Sequence, residues 1–240
     1  MSNTTNPYAT TDVTAQFADA SERATFIHRT YMHLAGAVVA LIALETLIFT
    51  FVPEATLAGL VGSMSGMGWL VVLGVYMGVS WMARSWASGG ASRSMQYAGL
   101  MLYVAAEALI LIPLLYFAFR LNPELPMQAG ILTVACFGGL TAFVFMTNVD
   151  LASWGKYLAI AGIAALATIV IGILFQFSLG LFFCGAMVAL ACGYIMYDTS
   201  NVIHHYRTDQ HVAASLALLA SLVLLFWYVL RIAMMFAGDE

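Results

Sequence analysis

The sequence predicts an all-α integral membrane protein with seven transmembrane helices. Of its 240 residues, 62% are hydrophobic and only 8% are charged, whereas a soluble domain carries about 25% charged residues. So few charges cannot clothe a water-exposed globule, and the surplus apolar surface has to face lipid. The apolar residues also fall into seven runs of about 20, the length that crosses a hydrocarbon core about 30 Å thick.

The predicted spans are 31–52, 67–86, 95–119, 128–147, 154–175, 178–197 and 212–236. Pro53 and Glu54 end the first. Residues 87–94, with Gly89, Gly90 and Arg93, part the second from the third, and 120–126 part the third from the fourth. Asn148, Val149 and Asp150 close the fourth. Only Gln176, Phe177 and Ser178 part the fifth and sixth, which predicts a tight hairpin, and 198–211 form the longest charged break. Gly74 and Gly78 make a small-xxx-small pattern that allows close helix approach. Trp69, Trp81, Trp154 and Trp227 sit near span ends, as interfacial aromatics do.

Residues 1–24 are polar and lack the basic start and apolar run of a secretory signal. They read as a flexible cytoplasmic tail, with 25–240 as one seven-helix transmembrane domain. Placing the N-terminus in the cytoplasm puts Arg23, Arg29, Arg84, Arg93, Lys156 and Arg207 on that side and only Arg120 and Arg231 opposite. The positive-inside rule favours this orientation.

A net charge of −4 without a basic run disfavours nucleic acid as a partner. Cys136, Cys184 and Cys192 lie in apolar runs and read as small buried residues. His28, His33, His204, His205 and His211 include no pair spaced by four, so no metal or resident cofactor is expected, and the 204–211 segment reads as a solvated loop. No nucleophile elbow, phosphate loop or dinucleotide fingerprint occurs, which disfavours an enzyme.

Charge inside lipid is the informative feature, since an ionised side chain at a helix centre costs about 2.5–3.5 kcal/mol on insertion scales. Glu45 lies in the first span and Glu107 in the middle of the third. Each reads either as part of an intramembrane polar path or as a carboxyl that merely fixes packing. Asp198 lies at the inner end of the sixth span, near the depth of Arg84 in the second. That juxtaposition allows an ion pair drawing two helices together, released when Asp198 is protonated. The alternative is a helix-end carboxylate exposed to water.

The stretch Met196-Tyr197-Asp198-Thr199-Ser200-Asn201-Val202-Ile203, followed by a helix ending Leu225-Phe226-Trp227-Tyr228-Val229-Leu230-Arg231, resembles the Bax inhibitor-1 (TMBIM) family, and within it the bacterial YccA-type branch. Tyr97 to Leu100, Glu107 to Ile110, Pro113 to Tyr116, and Phe137 to Asp150 agree with it, so the resemblance runs from about Phe26 to Phe236. It implies six helices surrounding the seventh, in a bacterial inner membrane. It also implies a pH-sensitive Ca2+ leak, with Ca2+ or H+ as the permeant ion. In that scheme aspartates on the sixth and seventh helices share a proton and close the pore, and an arginine of the second helix pairs with the first aspartate on opening. Asp198 matches the sixth-helix aspartate and Arg84 is placed to match the arginine. The seventh-helix aspartate is replaced by Ser221, and the asparagine that usually follows it by Leu224. Serine can hydrogen-bond to Asp198 but cannot carry the second negative charge. Either Glu45 or Glu107 compensates, or this chain does not conduct Ca2+ in the same way. The resemblance also implies a second role, as a non-conducting modulator of a membrane-anchored ATP-dependent protease, with the N-terminal tail as the handle.

Overall fold

In the computed structural model, residues 14–88 and 90–238 are described. Among them seven helices are long and apolar enough to cross a membrane. These are α1 (Ala20–Phe51), α3 (Met67–Ala87), α4 (Arg93–Leu121), α5 (Leu125–Thr147), α6 (Gly155–Phe175), α7 (Leu181–His204) and α8 (His211–Gly238). A short helix, α2 (Glu54–Ser63), fills the break between the first two spans.

Local chemistry sets the boundaries. The backbone turns extended at Val52, and Pro53, which has no N–H to continue α1, caps α2 instead. The Ser92 hydroxyl accepts from the Met95 amide at 3.4 Å and caps α4. Asn148 and Gln176 adopt left-handed conformations (φ 48° and 55°) that stop α5 and α6. The sequence reading missed α2 because ten residues are too few to cross a bilayer. Its Leu57 and Val61 instead cover Ile112 and Tyr116 of α4, and Glu54 pairs with Arg120 at 3.1 Å.

α8 packs against α7, α1, α5, α4 and α3. The other six spans follow one another around it in the order α1, α4, α3, α6, α7, α5. α6 touches the bundle through α3 and α7 rather than through α8. α4 and α8 are the interior helices: their most apolar windows are 67% and 61% buried, against at most 22% in the others. The ring is incomplete. α5 and α1 meet through Tyr31 and Phe145, whose rings lie 6.0 Å apart, but they share no continuous interface.

Three expectations are revised. α1 starts at Ala20, eleven residues before the predicted span, because polar Ser21, Glu22 and Arg23 suit a helix outside lipid but fail an apolarity criterion. At 32 residues it is about 48 Å long and outreaches the hydrocarbon core. Residues 1–13 of the expected tail lie outside the described residues. Of the rest, Thr14, Ala15 and Glu22 are docked on the α7–α8 loop, while Phe17 and most of its neighbours are exposed. Thr14 bridges Arg207, the Ala15 amide donates to the Tyr206 carbonyl at 2.8 Å with Ala15 fully buried, and Thr208 donates to Glu22 at 2.6 Å.

The second revision concerns the glycines. Space around Gly74 and Gly78 is open, with nothing within 4 Å of a Cβ placed there. The close approach occurs at Gly99, where a Cβ would stand 2.6 Å from the Ala83 carbonyl oxygen. The third concerns the aromatics: Trp69 and Trp227 stack on each other at 6.0 Å and tie α3 to α8. Trp81 and Trp154 do face outwards.

Gly99→Leu should therefore wedge α3 away from α4 and destabilise the bundle by about 1–3 kcal/mol. Thermal unfolding in detergent measures this. Gly74→Leu, at an open position, should leave the midpoint nearly unchanged.

Candidate functional site

Four helices bring polar side chains together near the end of the bundle that carries Arg23, Arg93 and Arg207. α7 supplies Asp198 and the central α8 supplies Ser221. The Ser221 hydroxyl donates to Asp198 Oδ2 and also lies 3.1 Å from the Ala217 carbonyl of its own helix. Ser221 is buried, while Asp198 keeps part of its surface accessible. A hydroxyl carries one proton and two lone pairs. Facing a carboxylate, Ser221 donates to Asp198. Facing a protonated acid, it accepts from Asp198 and turns its own proton to Ala217. The contact thus survives either charge state.

Arg84 enters from α3. Its guanidinium carbon lies 5.5 Å from the centre of the Tyr103 ring, a cation–π arrangement. It is close enough to Asp198 for the two charges to interact, but no direct ion pair joins them among the described residues. The juxtaposition expected from sequence is therefore present, with the final contact unmade.

Tyr103 continues the polar line deeper into the bundle. Its hydroxyl lies 3.2 Å from that of Tyr76, and Tyr76 donates to Glu107 Oε1 at 2.6 Å. Tyr76 spends its single proton on Glu107, so Tyr103 is the donor to Tyr76. Arg84, Tyr103, Tyr76 and Glu107 form one chain in the α3–α4 interface, with Tyr103 and Glu107 almost wholly buried. The two tyrosines escaped the sequence reading, although a signal existed. Tyr76, Ser80 and Arg84 recur every four residues on α3, as do Tyr103 and Glu107 on α4, which places each set on one helix face.

Glu45 does not join this chain. It lies on α1 in the wall of a groove that the chain does not reach, and neither carboxyl oxygen has a hydrogen-bond partner among the described residues. The two carboxylates read together from sequence thus occupy different surroundings.

The 204–211 segment is less solvated than expected. His204 and His211 are helix residues and buried, and the His204 ring nitrogen bonds the Ser200 carbonyl at 3.0 Å. His205 reaches Asp150 at 2.9 Å. Among the described residues no group of three His, Cys, Asp or Glu side chains is placed to hold a metal ion. Cys184 is buried, and the Cys136 and Cys192 sulfurs touch at 3.9 Å between α5 and α7.

The hydrogen bond from His205, aided by the Ala152 amide, holds the exposed Asp150 carboxyl below its usual range. This contact stabilises the fold at pH values above the ordinary carboxylate range of about 4 and is lost as pH falls through the lowered value. Being exposed, it contributes little to stability. His205→Ala should raise the Asp150 midpoint towards that range in an NMR titration. An unmoved midpoint would assign the shift to the Ala152 amide.

Comparison with known proteins agrees with the architecture. The family described as Bax1-I, inhibitor of apoptosis-promoting Bax1, matches residues 23–238. Bax inhibitor 1 of Schizosaccharomyces pombe is 28% identical over 147 residues, covering 60% of this chain and 54% of that protein. Protein lifeguard 4 of Mus musculus is 32% identical over 109 residues, 45% of each chain. An uncharacterised protein of Campylobacter jejuni is 36% identical over 93 residues, 38% of this chain and 40% of its own. The chain thus spans about half the length of the curated relatives it matches. With the profile covering nearly every described residue and seven apolar helices in place, the chain belongs to the Bax inhibitor-1 family of multi-pass membrane proteins.

Proposed function

We propose that this protein is a pH-sensitive Ca2+ leak of the YccA-type branch, in a bacterial inner membrane with the Arg-rich end of the bundle in the cytoplasm. The observation that carries this reading is the junction of Asp198 with Ser221 on the central helix, with Arg84 poised nearby on α3. A carboxylate at Asp198 attracts the guanidinium, and a protonated acid does not. The Ser221 contact holds in both cases, so the change of charge acts on Arg84 rather than on α8. Drawing Arg84 from the Tyr103 ring to Asp198 loosens the α3–α4 line that runs to Glu107. Titration of one carboxyl thereby repositions a helix at the inner mouth. Glu107, tied to Tyr76, supplies carboxyl oxygen along the interior, the ligand type a hard cation prefers.

A single observation favours the second reading, a non-conducting modulator of a membrane-anchored protease. Ser221 leaves the junction with one carboxylate, and fewer charged oxygens bind Ca2+ less well.

Purified protein in liposomes distinguishes the two. Ca2+ entry should rise from about pH 6 to about pH 8, across the range where a perturbed carboxyl can titrate. Asp198→Asn should abolish the pH response, and Arg84→Gln should do the same. Flux absent at every pH would reject the leak and favour the modulator. An undiminished pH response in Asp198→Asn would move the sensor elsewhere.

A further inference from the structure

The gap between α1 and α5 opens a groove of about 610 Å³, walled by α1, α4, α5 and α8. Its size suits a small amphiphile. Phe49, Leu115, Phe119 and Phe226 make its surface almost entirely apolar. Ile42 and Ile131 on the rim are exposed, so the groove opens sideways, where a bilayer would lie.

Among its lining residues the one ionisable side chain is Glu45. It is more than nine-tenths buried, and both oxygens lack any hydrogen-bond donor among the described residues. Two of the three threonines in the wall are already committed, and the third, Thr50, makes no hydrogen bond to Glu45. Thr46 donates to the Ile42 carbonyl and Thr133 to the Ala129 carbonyl, each at 2.7 Å. The nearest arginine on α4, Arg120, is engaged by Glu54 and the Tyr116 hydroxyl. An unmatched buried polar group of this kind is costly, and no protein group offsets it.

We propose that this groove binds a lipophilic amine, with its hydrocarbon body along the aromatic and leucine wall and its ammonium at Glu45. The complementarity is specific. An ammonium brings three N–H donors and a positive charge to a carboxyl that has neither. A fatty acid would oppose a second carboxyl to the first, and a long-chain alcohol offers one donor and no charge. Glu45 lines the groove with both carboxyl oxygens covered, so meeting the head group requires rotation of its side-chain bonds. The calorimetric readout of this binding requires no ion flux.

The test uses the full chain in phosphatidylcholine nanodiscs and two probes of equal chain length, dodecylamine and 1-dodecanol, followed by isothermal titration calorimetry. Wild type should bind the amine at least about tenfold more tightly than the alcohol, a difference near 1.4 kcal/mol. Glu45→Gln should retain the alcohol and lose the preference. Gly130→Trp supplies a second arm. Gly130 lines the groove and nothing lies within 4 Å of a Cβ there, so the indole can fill the space without displacing backbone. That variant should lose both ligands. Equal binding of the two probes to wild type would mean occupation by any alkyl chain and would overturn the proposal. So would a preference that persists in Glu45→Gln, or unchanged amine binding in Gly130→Trp.

Discussion

A polar side chain inside hydrocarbon is costly unless it finds a partner within the protein, because no water is there to supply one. In this bundle that constraint ties α3 to α4 and α7 to α8. Asp198 finds Ser221, Arg84 finds the face of Tyr103, and Glu107 finds Tyr76. Each bond crosses between helices, so the same contacts that spare the polar groups also set which helices are neighbours. Apolar packing alone does not choose, since lipid tails are as apolar as leucine. Close approach contributes too, and Gly99 lets α4 lie directly on the Ala83 backbone. The tyrosine–glutamate line is thereby held in one α3–α4 interface.

That position 221 is a serine and not a second carboxylate decides what the junction can do. Two acids sharing a proton bond strongly in one charge state and repel in another, so the helices carrying them part when the proton leaves. A serine beside an acid bonds in both states by reversing its donor and acceptor roles. The α7–α8 contact becomes a constant rather than a switch. Charge at Asp198 remains variable, and its remaining correspondent is Arg84, which sits on a peripheral helix with few contacts to α8. In the proposed leak, movement on titration would therefore be carried at the rim of the bundle rather than at its centre.

Much of the fold was legible because length and apolarity determine spans and because Pro53, Asn148 and Gln176 are local stop signals. Asp198, Arg84 and Ser221 were also legible as one constellation, from a motif and from matching depths. Tyr76 and Tyr103 were not picked out, since tyrosine is common in apolar runs and its hydroxyl matters only once the partner helix is known. Their four-residue spacing to Arg84 and Glu107 was the available signal. Gly74 and Gly78 show the converse. The pattern was present, but which face of α3 meets another helix is a tertiary fact. The docking of Thr14 and Ala15 on the α7–α8 loop was likewise invisible, because a backbone hydrogen bond to Tyr206 leaves no signature in side-chain identity.

The central helix also joins the two polar features that the sequence set side by side. Successive helix residues are about 100° apart, so Val223 and Phe226 lie about 160° and 140° around α8 from Ser221. Ser221 faces Asp198, and Val223 and Phe226 line the groove beside Glu45. α8 therefore separates a hydrogen-bonded side, shared with α7 and α3, from an apolar side left open between α1 and α5. On the first side Ser221 keeps its bond to Asp198 in either charge state, which resists displacement of the helix. On the second the groove offers no contacts of comparable strength until something fills it. A stiff helix cannot move towards the groove without drawing Ser221 from Asp198, so the filling of one side and the bonding of the other are mechanically linked through α8.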